Sequence, residues 1–217
     1  MTGPDPSGIS IRARFERLPT GLKGALILRG EDAFPHQVTF REVRVVAVDG
    51  AWEDGRAIAI PASVVDVAPR KDVFVPLECA VGDLAAGWYG FRCAVAVDGT
   101  DATLDGGRRF PVAWPRGTVR RGAIEVGADL ALGAASLRIE RIDCGGDATK
   151  VPFFASPPMT PEVVATADGA HVPVLDVEAD AAGRGRVTTY PLLRSQGALR
   201  LAFSSEGSTA AIDVPLP

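Results

Sequence analysis

Apolar and polar side chains alternate through Ile9-Ser10-Ile11-Arg12-Ala13-Arg14-Phe15, so that every second residue is apolar. That two-residue period belongs to a strand with one face buried; a helix would scatter the same side chains around its circumference. Strand patterns recur at 22–28 and at 38–48, where Val43, Val45 and Val46 add β-branched bulk before the turn at Asp49-Gly50. A short strand at 57–60 ends at Pro61, which cannot donate to a ladder and marks an edge. Strands at 64–67, 73–79 and 88–97 follow, the last closed by Asp98-Gly99, and 109–113 completes about seven strands, the number of an immunoglobulin-like sandwich.

Pro115-Arg116-Gly117 punctuates the chain, and a second series begins directly after it. Its strands are expected at 123–126, 135–142, 150–154, 162–167, 172–177, 185–190, 198–203 and 210–214, with turns at Gly145-Gly146-Asp147 and Asp168-Gly169. No helical period persists, and the best helical segment is a single turn at 127–132. The pattern therefore predicts an all-β chain of two tandem immunoglobulin-like β-sandwich domains, 1–114 and 118–217, joined by a linker at 115–117. A length of 217 residues suits two such modules.

Around Asp83-Leu84-Ala85-Ala86-Gly87-Trp88-Tyr89-Gly90-Phe91-Arg92-Cys93 the chain resembles the E-to-F corner of bacterial immunoglobulin-like domains. The resemblance implies that Tyr89 anchors the corner by a hydrogen bond to backbone. The second half loosely resembles the immunoglobulin-like modules of bacterial sigma-factor regulators, through the order of Ile124 to Leu132, Leu137 to Ile142, Tyr190-Pro191-Leu192, Leu199-Arg200-Leu201 and Ile212 to Leu216. It implies fold alone, because the membrane helix of those regulators has no counterpart in this sequence.

Composition narrows the function. Formal charge is −4, with 13 basic against 15 acidic residues up to Trp114 and 10 against 12 after it. A nucleic-acid binder needs a clustered basic excess to neutralise phosphates, so nucleic acid is not an expected partner. The first residues form no signal peptide and no stretch is apolar enough to span a bilayer, which gives a soluble chain without a membrane partner, expected in the cytoplasm or outside it if a leader was removed. Cys79, Cys93 and Cys144 are odd in number; two buried free thiols are favoured over a Cys79–Cys93 disulfide on the neighbouring strands that carry them.

Candidate chemistry is sparse. His36 and His171, one per half, are expected to be structural or surface residues, and no nucleophile elbow or Cys-x-x-Cys pair accompanies them. Asp98, Asp101 and Asp105 could offer oxygens to calcium, but three carboxylates in a hairpin fall short of a calcium shell and read more simply as turn residues; Asp143, Asp147 and Thr149 read the same way. No cofactor and no catalytic centre are therefore expected.

The most distinctive local feature is the set Arg108, Arg109, Arg116, Arg120 and Arg121, interleaved with Phe110 and Trp114. It suits either an anion-binding or partner-docking groove or an interdomain seam, and the seam is favoured because tandem modules commonly pack through their linker. Trp52, at a loop tip, could stack on a sugar. The expected function is that of a non-enzymatic interaction or scaffold protein that binds another protein or itself, by a sheet face, a loop or an edge strand, with a small-ligand or carbohydrate binder as the alternative.

Overall fold

The computed structural model describes residues 8–18 and 21–217. Among them the chain is all-β, built of antiparallel sheets without a helix. It divides into two compact units, Met1–Val112 and Ala113–Pro217.

The first unit contains β1 (Ile9–Arg17), β2 (Gly21–Gly30), β3 (His36–Ala47), β4 (Arg56–Ile58), β5 (Val64–Val67), β6 (Asp72–Ala80), β7 (Gly87–Val97), β8 (Thr100–Asp105) and β9 (Phe110–Val112). One sheet has the order β1-β2-β6; the other runs β4-β3-β7-β8, with β5 on β3 and β9 on β7. Their inward faces share one core, Leu22, Leu26, Leu28, Val75 and Leu77 from the first sheet meeting Val38, Phe40, Phe91, Cys93 and Val95 from the second. Strand β3 holds its apolar face by a bulge between Phe40 and Glu42. The extra residue moves the inward positions from Val38 and Phe40 to Val43 and Val45, all buried.

The second unit contains β10 (Gly122–Leu132), β11 (Ala135–Cys144), β12 (Thr149–Ser156), β13 (Glu162–Ala167), β14 (Ala170–Val172), β15 (Val174–Ala179), β16 (Arg184–Thr189), β17 (Ala198–Ser205) and β18 (Ser208–Pro215). Its sheets have the orders β10-β11-β12-β16-β15 and β14-β13-β17-β18. Leu137, Ile139, Val151, Phe153 and Val187 of one pack with Ala165, Leu199, Leu201 and Phe203 of the other. Phe153 and Phe203 meet edge-on at 6.4 Å between ring centroids.

Three sequence expectations are corrected. The segment 127–132 is not a helical turn but the second half of β10, entered through a register shift between Glu125 and Ala128, with Gly127 at φ 62°. The run after Asp98-Gly99 is not a loop but β8, whose register on β7 places Leu104 opposite Cys93 and buries it. The strand expected at 172–177 is two strands in different sheets, parted at Pro173, which has no N–H to continue a ladder.

All three cysteines are free and buried. Cys79 on β6 and Cys93 on β7 belong to different sheets, and burial pushes the Cys93 thiol up to about 12. Such thiols pack as small hydrophobes.

Candidate functional site

The outward face of the β1-β2-β6 sheet follows from strand alternation and register. Successive rows across the three strands are Arg12-Ile27-Phe74, Arg14-Ala25-Pro76 and Glu16-Lys23-Glu78. Hydrophobic side chains on an outward face need cover, and Ile27 has it: only 5% exposed, it lies apart from the core inside the sheets. Its cross-strand neighbour Phe74 does not, at 57% exposed. Beside Phe74 a shallow depression of about 480 Å³ is lined by Arg14, Glu16, Lys23, Ala25 and Arg108. Arg108 reaches it from the segment before β9 by laying its guanidinium 4.8 Å from the ring centre of Phe15, a cation–π contact that fixes the charge at the rim.

Among the described strand arginines, Arg14 on this face stands apart in its ion pairing. In the second unit every strand arginine, Arg138, Arg141, Arg184, Arg186 and Arg200, has a carboxylate within 4.0 Å. In the first unit the same holds for Arg12, Arg29, Arg41, Arg44, Arg56 and Arg92. Among strand arginines with described side chains, Arg14 alone lacks such a partner, and neither Lys23 nor Arg108 has one among the described residues. Three cations without an ion pair within 4.0 Å among the described residues thus border one exposed aromatic ring, Lys23 with Glu16 and Glu78 facing it across the strands.

The residues singled out from sequence fall into different settings. Arg108 and Arg109 belong to the first unit, and both are exposed. Trp114, Arg116, Arg120 and Arg121 belong to the second. Trp114 packs edge-on against Tyr190 at 5.7 Å. Arg120 is a staple for its own unit: its guanidinium donates to the carbonyl oxygens of Gln196 at 2.9 Å, Arg194 at 3.4 Å and Pro217, and its Nε is buried without an acceptor. Arg121 lies over Gly146, and Arg116 is exposed in the turn after Pro115. Trp52 is half-buried, with one face 5.2 Å from the Arg44 guanidinium, while Arg44 Nη1 also donates to the carbonyls of Trp52 and Glu53 at 3.1 Å. That face of the indole is taken.

The three hairpin aspartates do not converge. Asp101 pairs with Arg41 at 3.3 Å, Asp105 accepts from the Gly107 N–H at 2.8 Å, and Asp98 turns to His36. His36, expected to be a structural or surface residue, has two carboxylate partners that no local sequence signal marks. Its Nδ1 lies 2.7 Å from Asp98 Oδ2 and its Nε2 2.9 Å from Asp32 Oδ1. Both nitrogens can donate to carboxylates only when the ring is a cation. The bond to Asp98, then that to Asp32, holds the imidazole above its ordinary 6.5. Both carboxyls are held below their ordinary 3.8, Asp32 chiefly by the Phe34 N–H and Asp98 chiefly by the Gln37 N–H. The ring is only 10% exposed, but its two carboxylate partners are exposed, Asp32 at 38% and Asp98 at 52%, so solvent screens the charges.

His36 contributes stability that is complete below about pH 6.5 and is lost as pH rises through its raised native value, whereas the carboxylates contribute above about pH 4 and lose it on acidification. His36→Gln should therefore cost more stability at about pH 5 than at about pH 9, read as a difference between urea midpoints. An equal gap at both would show that folding does not raise the ring's hold on its proton.

No protein-family model matches the chain, and no curated protein matches it. Among solved structures, the conserved domain protein from Bacillus anthracis is similar at 10% identity, over 98% of this chain and 88% of that one, with a TM-score of 0.32. A likeness at that score carries no argument about fold or function. Among the described residues no helix is long and apolar enough to cross a membrane.

Proposed function

We propose that this chain is a non-enzymatic interaction or scaffold protein built from two immunoglobulin-like β-sandwich modules, which binds a protein partner through a sheet face. The observation that carries this reading is the outward face of β1-β2-β6, where exposed Phe74 is bordered by Arg14, Lys23 and Arg108 without an ion pair within 4.0 Å among the described residues. Exposed aromatic rings beside arginine are the usual material of interface hot spots. Of the groups that would serve nucleophilic or acid–base chemistry, the three thiols are buried and both nitrogens of His36 are held by carboxylates, while His171 is exposed on β14.

Strand order supports the immunoglobulin-like part. In the first unit β1-β2-β6 and β4-β3-β7-β8 correspond to the A-B-E and C′-C-F-G sheets of that architecture, and in the second β11-β12-β16-β15 corresponds to A-B-E-D. Tyr89 Oη donates to the Ala85 carbonyl at 3.0 Å, the bond expected of a corner tyrosine.

Light scattering after size exclusion, combined with a pull-down from the native extract, tests the reading. A retained partner or a self-associated species that is lost in Phe74→Ala is expected. A strict monomer that retains nothing would contradict it.

A further inference from the structure

We infer that the partner seated on the outward face of β1-β2-β6 is an acidic protein segment carrying an apolar side chain, with its carboxylates on Arg14, Lys23 and Arg108 and its apolar group on Phe74. The inference rests on the interaction reading above and adds the chemistry of the partner.

Charge decides the sign of the partner. Strand arginines elsewhere in the described chain each have a carboxylate within 4.0 Å. Around Phe74, Arg14, Lys23 and Arg108 have no ion pair within 4.0 Å among the described residues, and complementary potential is what sets partner choice at a protein interface. Shape decides the size. A small molecule needs a concave site that encloses most of its surface. This face is an open sheet with the exposed Phe74 ring beside a shallow depression, which suits an extended chain laid across the strands.

Spacing of the charges decides against a polyanion. The cationic rows are bounded by Glu16 and Glu78 flanking Lys23 on one side and by Asp72, which holds Arg12 at 2.6 Å and Arg29 at 3.2 Å, on the other. An evenly charged phosphate backbone would run over these carboxylates, whereas discrete glutamate or aspartate side chains can fall between them. The Phe74 ring adds an apolar anchor that an oligonucleotide backbone cannot use. A second copy of this chain is a weaker fit, since five of the eight strand carboxylates of its second unit are held by arginines of that unit and the other three, Glu125, Glu162 and Asp176, lie on three different strands.

Fluorescence polarisation of the full chain against a labelled peptide of glutamate with interspersed leucine tests this, with the glutamine version of the peptide and oligo-thymidylate as competitors. Saturable binding is expected for the glutamate peptide, weakening as salt is raised past the Debye regime of exposed charges. The combined Arg14→Gln, Lys23→Gln and Arg108→Gln variant, and separately Phe74→Ala, should each weaken it roughly tenfold or more. Arg138→Gln in the second unit should leave it unchanged. Absent binding, binding indifferent to the triple variant, or equal displacement by oligo-thymidylate would each overturn the inference. If the triple variant still retains a partner from extract, the acidic segment is refuted while the interaction reading stands.

Discussion

Phe91→Ala should destabilise the first unit by about 3–5 kcal/mol, the largest effect expected of any single substitution in it. Phe91 is fully buried in the middle of β7 and sits at the centre of an aromatic group, 5.7 Å from both Phe15 and Phe110. Phe15 and Phe110 also meet each other at 5.4 Å. Truncation removes the transferred ring area, opens a cavity between two sheets held apart by strand ladders, and strips the ring-to-ring contacts from both neighbours. The substitution should lower the thermal midpoint of this unit by on the order of 10–20 °C, measured by calorimetry. Phe91→Leu should fall between the two, since it keeps most of the volume. A loss below about 1 kcal/mol for the alanine variant would mean that the sheets collapse onto the gap and that the aromatic group is not the keystone of this core.

Gly24→Ala should be damaging for a different reason, and it reaches the candidate site directly. Gly24 pairs with Phe15 across β1 and β2, and a Cβ there would stand 2.5 Å from the Phe15 Cα and would also collide with the Arg14 carbonyl oxygen. The obstacle is backbone, so no side-chain rotation relieves it; β1 itself must move away. Overpacking of this kind costs about 1–3 kcal/mol and often more when backbone gives way. Because Arg14 belongs to the segment displaced, the variant should lose affinity for the acidic peptide beyond what Arg14→Gln loses. Lys23→Ala, one residue earlier and outward-facing, should leave stability within about 0.5 kcal/mol. Urea unfolding of the two variants separates steric from electrostatic effects; equal stability of Gly24→Ala and the parent would show that β1 and β2 are less tightly paired than their register indicates.

Much of the strand pattern was legible because inward positions are so consistently apolar: the alternation from Ile9 to Phe15 and the run Val64 to Val67 correspond to β1 and β5. β8 was hidden because it carries only one buried apolar residue, Leu104, among aspartate and threonine, which look like turn chemistry when the partner strand is unknown. β10 was masked by Gly127 and the bulge beside it, which break a period that a straight strand would have kept.

The candidate site was legible only in part. Arg108 was singled out as one of a run of arginines near the linker, yet its neighbours Arg14 and Lys23 come from a hairpin far earlier in the chain. Phe74 joins them because β6 pairs with β2 rather than with the strand before it. Likewise His36 meets Asp98 across 62 residues, through the register that lays the start of β3 beside the end of β7. Alternation tells which side chains share a face of one strand, but strand order decides which strands share a sheet, and that order is set by packing across the whole core.

Amide chemical-shift mapping of the isotopically labelled full chain during titration with the glutamate–leucine peptide tests the central claim most directly. The account predicts perturbations concentrated in β1, β2 and β6 around Arg14, Lys23 and Phe74, with the neighbourhood of Arg108 following. Perturbations centred on the strands of the second unit, or none at saturating peptide, would contradict it.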